Sequence, residues 1–170
     1  MFIKYLIVFL ISMVPLIELR GAIPVALSPA DMTFFGVLNG MGLPTLPAYI
    51  TCILGNMLPV PVIFFFARKV LEWGADKPVI GGFFRFCLEK GHKGGEKLQK
   101  KAGRGLFVAL LLFVGIPVPG TGAWTGTLAA SLLDMDFKSS VTAVLLGVIL
   151  AGVIMGLVSA GVFGALGAVF

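Results

Sequence analysis

Apolar residues dominate this chain in long runs, without the regular polar interruptions of an amphipathic surface helix. Residues 46–67 are 22 positions without a charge, and residues 141–170 are 30. A bilayer core needs about 20 helical residues, so each stretch is predicted to be a transmembrane helix. The other apolar runs are shorter. Residues 2–17 are apolar except for Lys4, residues 33–43 form a brief piece, and residues 106–114 and 124–133 supply nine and ten positions. Nine or ten helical residues reach only about 15 Å, half the hydrocarbon core. Such pieces read as the arms of re-entrant hairpins. Residues 2–17 are long enough that they could nearly cross alone.

Two strings interrupt the pattern. "ELRGAIP", residues 18–24, ends the first run, and "VALSPADM" follows it. "GIPVPGTGAWTG", residues 115–126, holds two prolines and four glycines inside an uncharged stretch. The hairpin breaks are assigned to Pro24, Pro117, Pro119 and Gly120, because proline and glycine disrupt a helix interior. The two ends of the chain then share one plan: short helix, break, short helix, turn, long helix. Residues 2–67 give one copy and 106–170 the other, with 68–105 between them. If each hairpin returns to its own side, the span 46–67 separates them and the copies are inverted. Paired interrupted segments in two halves point to a transport site near the midplane. Broken backbone is tolerated at that depth where protein or a water-filled cavity satisfies it. The predicted fold is an all-α integral membrane protein, one domain over 1–170, an inverted repeat of a re-entrant helical hairpin plus a transmembrane helix.

Charge adds orientation. Hydrophobic residues are 58% of the chain and charged ones 12%, against roughly 25% charge in a soluble domain. Residues 68–105 hold ten of the 13 basic residues and four of the eight acids, a local net of +6. A short basic segment beside spans stays cytoplasmic under the positive-inside rule. Its groups, such as "EKLQKKAGR", alternate with acids and lack stacking aromatics, so a nucleic-acid partner is not expected. Contact with anionic lipid headgroups is the natural alternative to plain solvation. Lys4 and "YLIVFLISMV" resemble a signal peptide, but no small-x-small cleavage site follows. That segment is expected to be the first membrane element. Cys52 and Cys87 form no CxxC, and the lone His92 lies in a glycine-rich stretch, so neither a metal, a disulfide nor a cofactor is expected. No HExxH, paired carboxylate or nucleophile–base arrangement suggests an enzyme.

Glu18 and Arg20 are the only charges between Lys4 and Asp31. A charge at bilayer centre costs about 2.5–3.5 kcal/mol on insertion scales, which makes both functional candidates. In an extended break they would share a side and face one cavity. Alternatively they staple the hairpin, by pairing with each other or with freed carbonyls. In the second break Thr121 is expected to cap a restarted helix, leaving the N–H groups of Gly122, Ala123 and Trp124 free to hold an anion. The alternative is that the glycines simply let two hairpin tips pack closely. Asn56, inside a span, suits an interhelical hydrogen bond or cavity lining. Gly152 and Gly156 form a GxxxG spacing for packing within the chain or between copies. Two spans with two half-depth hairpins make a thin wall, so a homo-oligomer is expected.

"ELRGAIP", "GNMLPVP" at residues 55–61 and "GIPVPGTGAWTG" resemble the signature segments of the small multi-drug export protein family over about residues 14–151. These are prokaryotic membrane proteins, more distantly similar to the DedA superfamily. The resemblance implies a multi-pass protein of the plasma membrane, two hairpins meeting at midplane, and transport or scrambling of lipids such as polyprenyl phosphates. DedA proteins usually carry an arginine in the second hairpin, whereas residues 106–133 here hold no charge. The expected function is transport of amphipathic or lipid-linked anions through a site of Glu18, Arg20, Asn56, Thr121, Gly122 and Trp124. The alternative is a proton-coupled exporter of drug-like cations that uses Glu18 as its exchangeable group.

Overall fold

The computed structural model describes residues 1–30, 32–34, 38–78, 81–82, 85, 89, 105–118 and 120–169. Pro119, Cys87, His92 and most of the basic segment lie outside the described residues. The elements run α1 (Phe2–Met13), α2 (Glu18–Leu27), β1 (Thr33–Phe34), β2 (Leu38–Asn39), α3 (Thr45–Met57), α4 (Pro59–Ala75), α5 (Gly105–Gly115), α6 (Ala123–Leu132) and α7 (Phe137–Val169). The strands form one small antiparallel pair, with Thr33 opposite Asn39.

Two stretches are long and apolar enough to cross a membrane: Thr45–Ala75, 31 residues, and Phe137–Gly161, 25 residues. The first joins α3 and α4 through Leu58, which keeps helical dihedrals although Pro59 and Pro61 cannot donate to the helix ladder. Only 22% of its most apolar window is buried, whereas the core helix of a soluble protein would be mostly covered. Leu46, Leu54, Val62 and Phe66 are all more than half exposed. An uncharged surface of this kind suits lipid rather than water.

The second half follows the predicted spacing, with α5, a break, α6, a turn and α7. Asp136 opens α7 by accepting the Ser139 N–H at 3.1 Å. The first half departs from it. The described residues of 33–43 form no helical arm. They contain the strand pair and then a segment laid against the end of α2. There the N–H groups of Met41, Gly42 and Leu43 donate to the carbonyls of Val25, Ser28 and Ala26 at 2.8–2.9 Å. Gly40, packed against the Ser28 and Pro29 carbonyls, and Gly42, at φ +57°, permit this course. The segment so supplies donors that the last turn of a helix lacks.

The second arm of this half is α2 itself, which contains the whole of "ELRGAIP". Pro24 is therefore not a break: it lies inside α2. Its missing N–H removes one helical bond, and Ser28 closes the following turn by donating its N–H and hydroxyl to the Pro24 carbonyl at 3.0 and 2.7 Å. The chain actually breaks earlier, between Met13 and Glu18.

Each first arm packs on the long helix of its own half, α1 on α3 and α5 on α7. Each second arm packs on the long helices of both halves, α2 on α7 and α3, and α6 on α4 and α7. The buried centre is built largely from small residues, including Ala22, Ala26, Ala48, Ala123, Ala130 and Ala143. Lipid tails are as apolar as leucine, so close packing of small side chains holds such a core rather than water expulsion. Tyr49 of α3 reaches into the glycine surface of α7, donating its hydroxyl to the Gly152 carbonyl at 3.1 Å and touching Gly156. The GxxxG face thus packs within the chain.

Candidate functional site

The site forms where the break between α1 and α2 meets the break between α5 and α6. In the first, Leu16 has φ +74° and Glu18 φ +48°. This left-handed region is uncommon for residues other than glycine, and such conformations gather at functional sites. The Glu18 N–H donates to the Val14 carbonyl at 2.9 Å, so the chain turns tightly and α2 begins at once. Glu18 and Arg20 thus sit on the first turn of a helix, not on extended chain. They reach the same region because they take different partners in the second break.

Glu18 is 5% exposed. Its two carboxylate oxygens accept the N–H groups of Ala123 and Trp124, each at 3.2 Å. These are leading N–H groups of α6, which have no partner within their own helix. A carboxylate here also faces the positive end of the helix dipole. Of the three N–H groups expected to be free for an anion, those of Ala123 and Trp124 are taken by Glu18, and the expected cap is corrected. Gly122, not Thr121, holds the N-cap position, at φ +145° and ψ −169°. A Cβ at Gly122 would overlap the Glu18 carboxylate, so glycine is required both by conformation and by space.

Arg20 takes the other side of the break. Its guanidinium donates to the Val118 carbonyl, to the Ile116 carbonyl at 3.4 Å, and to Thr121 Oγ1 at 2.8 Å. Thr121 in turn lies 2.8 Å from the Val118 oxygen and 3.0 Å from that of Ile116. Its side chain serves the carbonyls released at the end of α5 rather than the N–H groups of α6. Arg20 therefore satisfies freed backbone, the stapling role open to it from sequence.

Trp124 adds a third tie. Its indole N–H donates to the Met13 carbonyl at 3.1 Å, joining the start of α6 to the end of α1. Pro117 is half-buried in the break and Gly120 turns the chain at φ +86°. Asn56 is fully buried near the end of α3, and its Oδ1 has no hydrogen-bond partner among the described residues. The expected interhelical bond through that oxygen is not formed.

Beside this interlock lies a cleft of about 520 Å³ between α4 and α6, lined by Met13, Leu58, Pro59, Val62, Ile63, Phe66, Ala67, Trp124 and Leu128. Every lining side chain except the indole N–H is apolar. Trp124 is the shared wall: its backbone faces Glu18 and its ring faces the cleft. Of this lining only Trp124 stands out in the sequence, and the Met13, Ile116 and Val118 carbonyls do not. Only proline and glycine around 115–122 signalled that backbone would be free there. Among the described residues, no group of three or more His, Cys, Asp or Glu could hold a metal ion.

A family model described as small multi-drug export protein matches residues 18–154. The match opens at Glu18, where the first break ends, takes in the second break and closes within α7. Comparisons with curated proteins and with solved structures return no match.

Proposed function

Because the chain belongs to the small multi-drug export protein family, whose model spans residues 18–154, we propose that it is a multi-pass membrane transporter of amphipathic anions, in which the Glu18 carboxylate holds the place of the substrate headgroup. The observation that carries this reading is the pair of bonds from Ala123 and Trp124 to Glu18. Those donors, the dipole of α6 and the nearby Arg20 outweigh the single negative charge of Glu18. A headgroup phosphate or carboxylate could exchange with Glu18 on the same N–H groups, while its apolar body lies in the cleft behind Trp124. Protonation of Glu18 would favour the exchange, since a neutral carboxyl accepts hydrogen bonds more weakly than a carboxylate.

The arrangement of helices supports a re-entrant, inverted reading. The arms α1, α2, α5 and α6 hold 10–12 residues, too few to cross about 30 Å of hydrocarbon. The matched packing of the two halves, each second arm lying against both long helices, is what two copies of one unit would produce. We place the basic segment 68–105 in the cytoplasm and the protein in a prokaryotic plasma membrane, on charge asymmetry and family resemblance.

A second reading has its own support. The cleft is lined without any basic residue, which suits export of a lipophilic cation paired with Glu18. Binding to purified protein separates the two, with a polyprenyl phosphate and a lipophilic cation as probes. On the anion reading, Glu18→Gln removes the competing carboxylate and tightens anion binding about tenfold, the effect of exchanging a charged for a neutral acceptor. Loss of cation binding in Glu18→Gln, with the anion unaffected, would overturn the anion reading and establish the cation exporter.

A further inference from the structure

A second groove lies on the outer face of α4, away from the interlock. Pro61, Val62, Phe65, Phe66 and Lys69 line about 300 Å³ of open space. These positions follow one helical stripe over 12 Å of rise. Four apolar residues occupy the end nearer the middle of the 31-residue span, and an exposed lysine closes the other. The stripe continues to Trp73, 61% exposed, with Lys77 Nζ 4.4 Å from its ring centroid. Tryptophan and lysine together mark the level at which a helix leaves the hydrocarbon for the headgroups. Glu72 is the nearest acid in sequence, but residues 68–105 as a whole carry a net +6. The apolar part of the groove suits an acyl chain, and its charged end suits a negative headgroup.

We infer that this groove is a binding site for one anionic phospholipid, its acyl chain along Pro61, Phe65 and Phe66 and its phosphate at Lys69, with Trp73 and Lys77 at headgroup level. Charge complementarity selects the occupant, because a zwitterionic lipid offers Lys69 no net negative charge. Val62 and Phe66 line both this groove and the cleft, but the charged end of the site lies outside the proposed transport site. Lys69, Trp73 and Lys77 belong to neither the interlock nor the cleft, and the inference stands if the substrate assignment fails.

The test uses the full chain purified in a mild detergent, with bound lipid counted by native mass spectrometry. The probes are phosphatidylglycerol, phosphatidylcholine and soluble glycerol phosphate. Wild type should prefer phosphatidylglycerol to phosphatidylcholine by about fivefold, the weight of one lysine near an anionic headgroup. Lys69→Gln should remove that preference and Lys69→Arg should keep it. Pro61→Phe puts a ring into the groove and should weaken both lipids, at a position early enough in α4 that no proline is needed. An undiminished preference in Lys69→Gln would overturn the site. So would competition by glycerol phosphate as strong as by the lipid, since the groove would then contribute nothing. A lipid-free dimer in wild type that Pro61→Phe converts to monomer would give the groove to a second copy and also overturn the proposal.

Discussion

Glu18 shows how much of a site one side chain can organise when it is buried at a break. Its backbone accepts a left-handed conformation, its carboxylate occupies the start of α6, and Gly122 leaves the space that it fills. Glu18 and Arg20 were legible from sequence, because isolated charges in a long apolar run stand out whatever the fold. Their partners were not. Thr121 is a good N-cap residue by type, but which group takes its hydroxyl depends on Arg20, 101 positions away. The fit at Gly122 gives a sharp prediction. Alanine there meets both a glycine-only backbone region and the Glu18 carboxylate, so Gly122→Ala should cost about 1–3 kcal/mol. Denaturant titration in detergent micelles measures this. A stability within error of wild type would mean that Glu18 does not lie against this residue.

At the scale of elements, long helices and the second half were readable from uncharged length and from proline–glycine punctuation. The first half was misread where side chains do not decide. Pro24 looked like a break, yet α2 passes through it, because the Ser28 N–H and hydroxyl close the next turn. Residues 33–43 looked like a helical arm by apolarity, yet the carbonyls at the end of α2 draw part of the segment into an extended course. A short apolar run does not by itself distinguish helix from strand. The glycines of α7 left intramolecular and intermolecular packing equally open from sequence, and Tyr49 resolves that for Gly152 and Gly156. Gly156→Leu should therefore overpack the α3–α7 contact and cost about 1–3 kcal/mol without changing the oligomeric state. Size-exclusion chromatography with light scattering, run beside a denaturant titration, checks both parts. Dissociation of an oligomer with stability unchanged would show that this face serves a second copy.

For the whole molecule, the account depends on two interrupted helix pairs, far apart in sequence, closing on each other. Glu18 engages the start of α6, Arg20 engages the end of α5, and Trp124 returns to α1. Each break leaves backbone groups that could not persist in a membrane alone, and each supplies part of what the other lacks. That mutual dependence is also what would make the junction a gate: any headgroup entering it must displace a protein group. The most direct measurement is a double-mutant cycle between Arg20→Ala and Thr121→Val, read as unfolding free energy in detergent micelles. The two side chains meet at 2.8 Å across the junction, so the double mutant should lose less than the sum of the single losses. Coupling of about 0.5–3 kcal/mol is the range for residues in contact. Strict additivity, with both single variants folded, would contradict the claim that the two breaks hold one another.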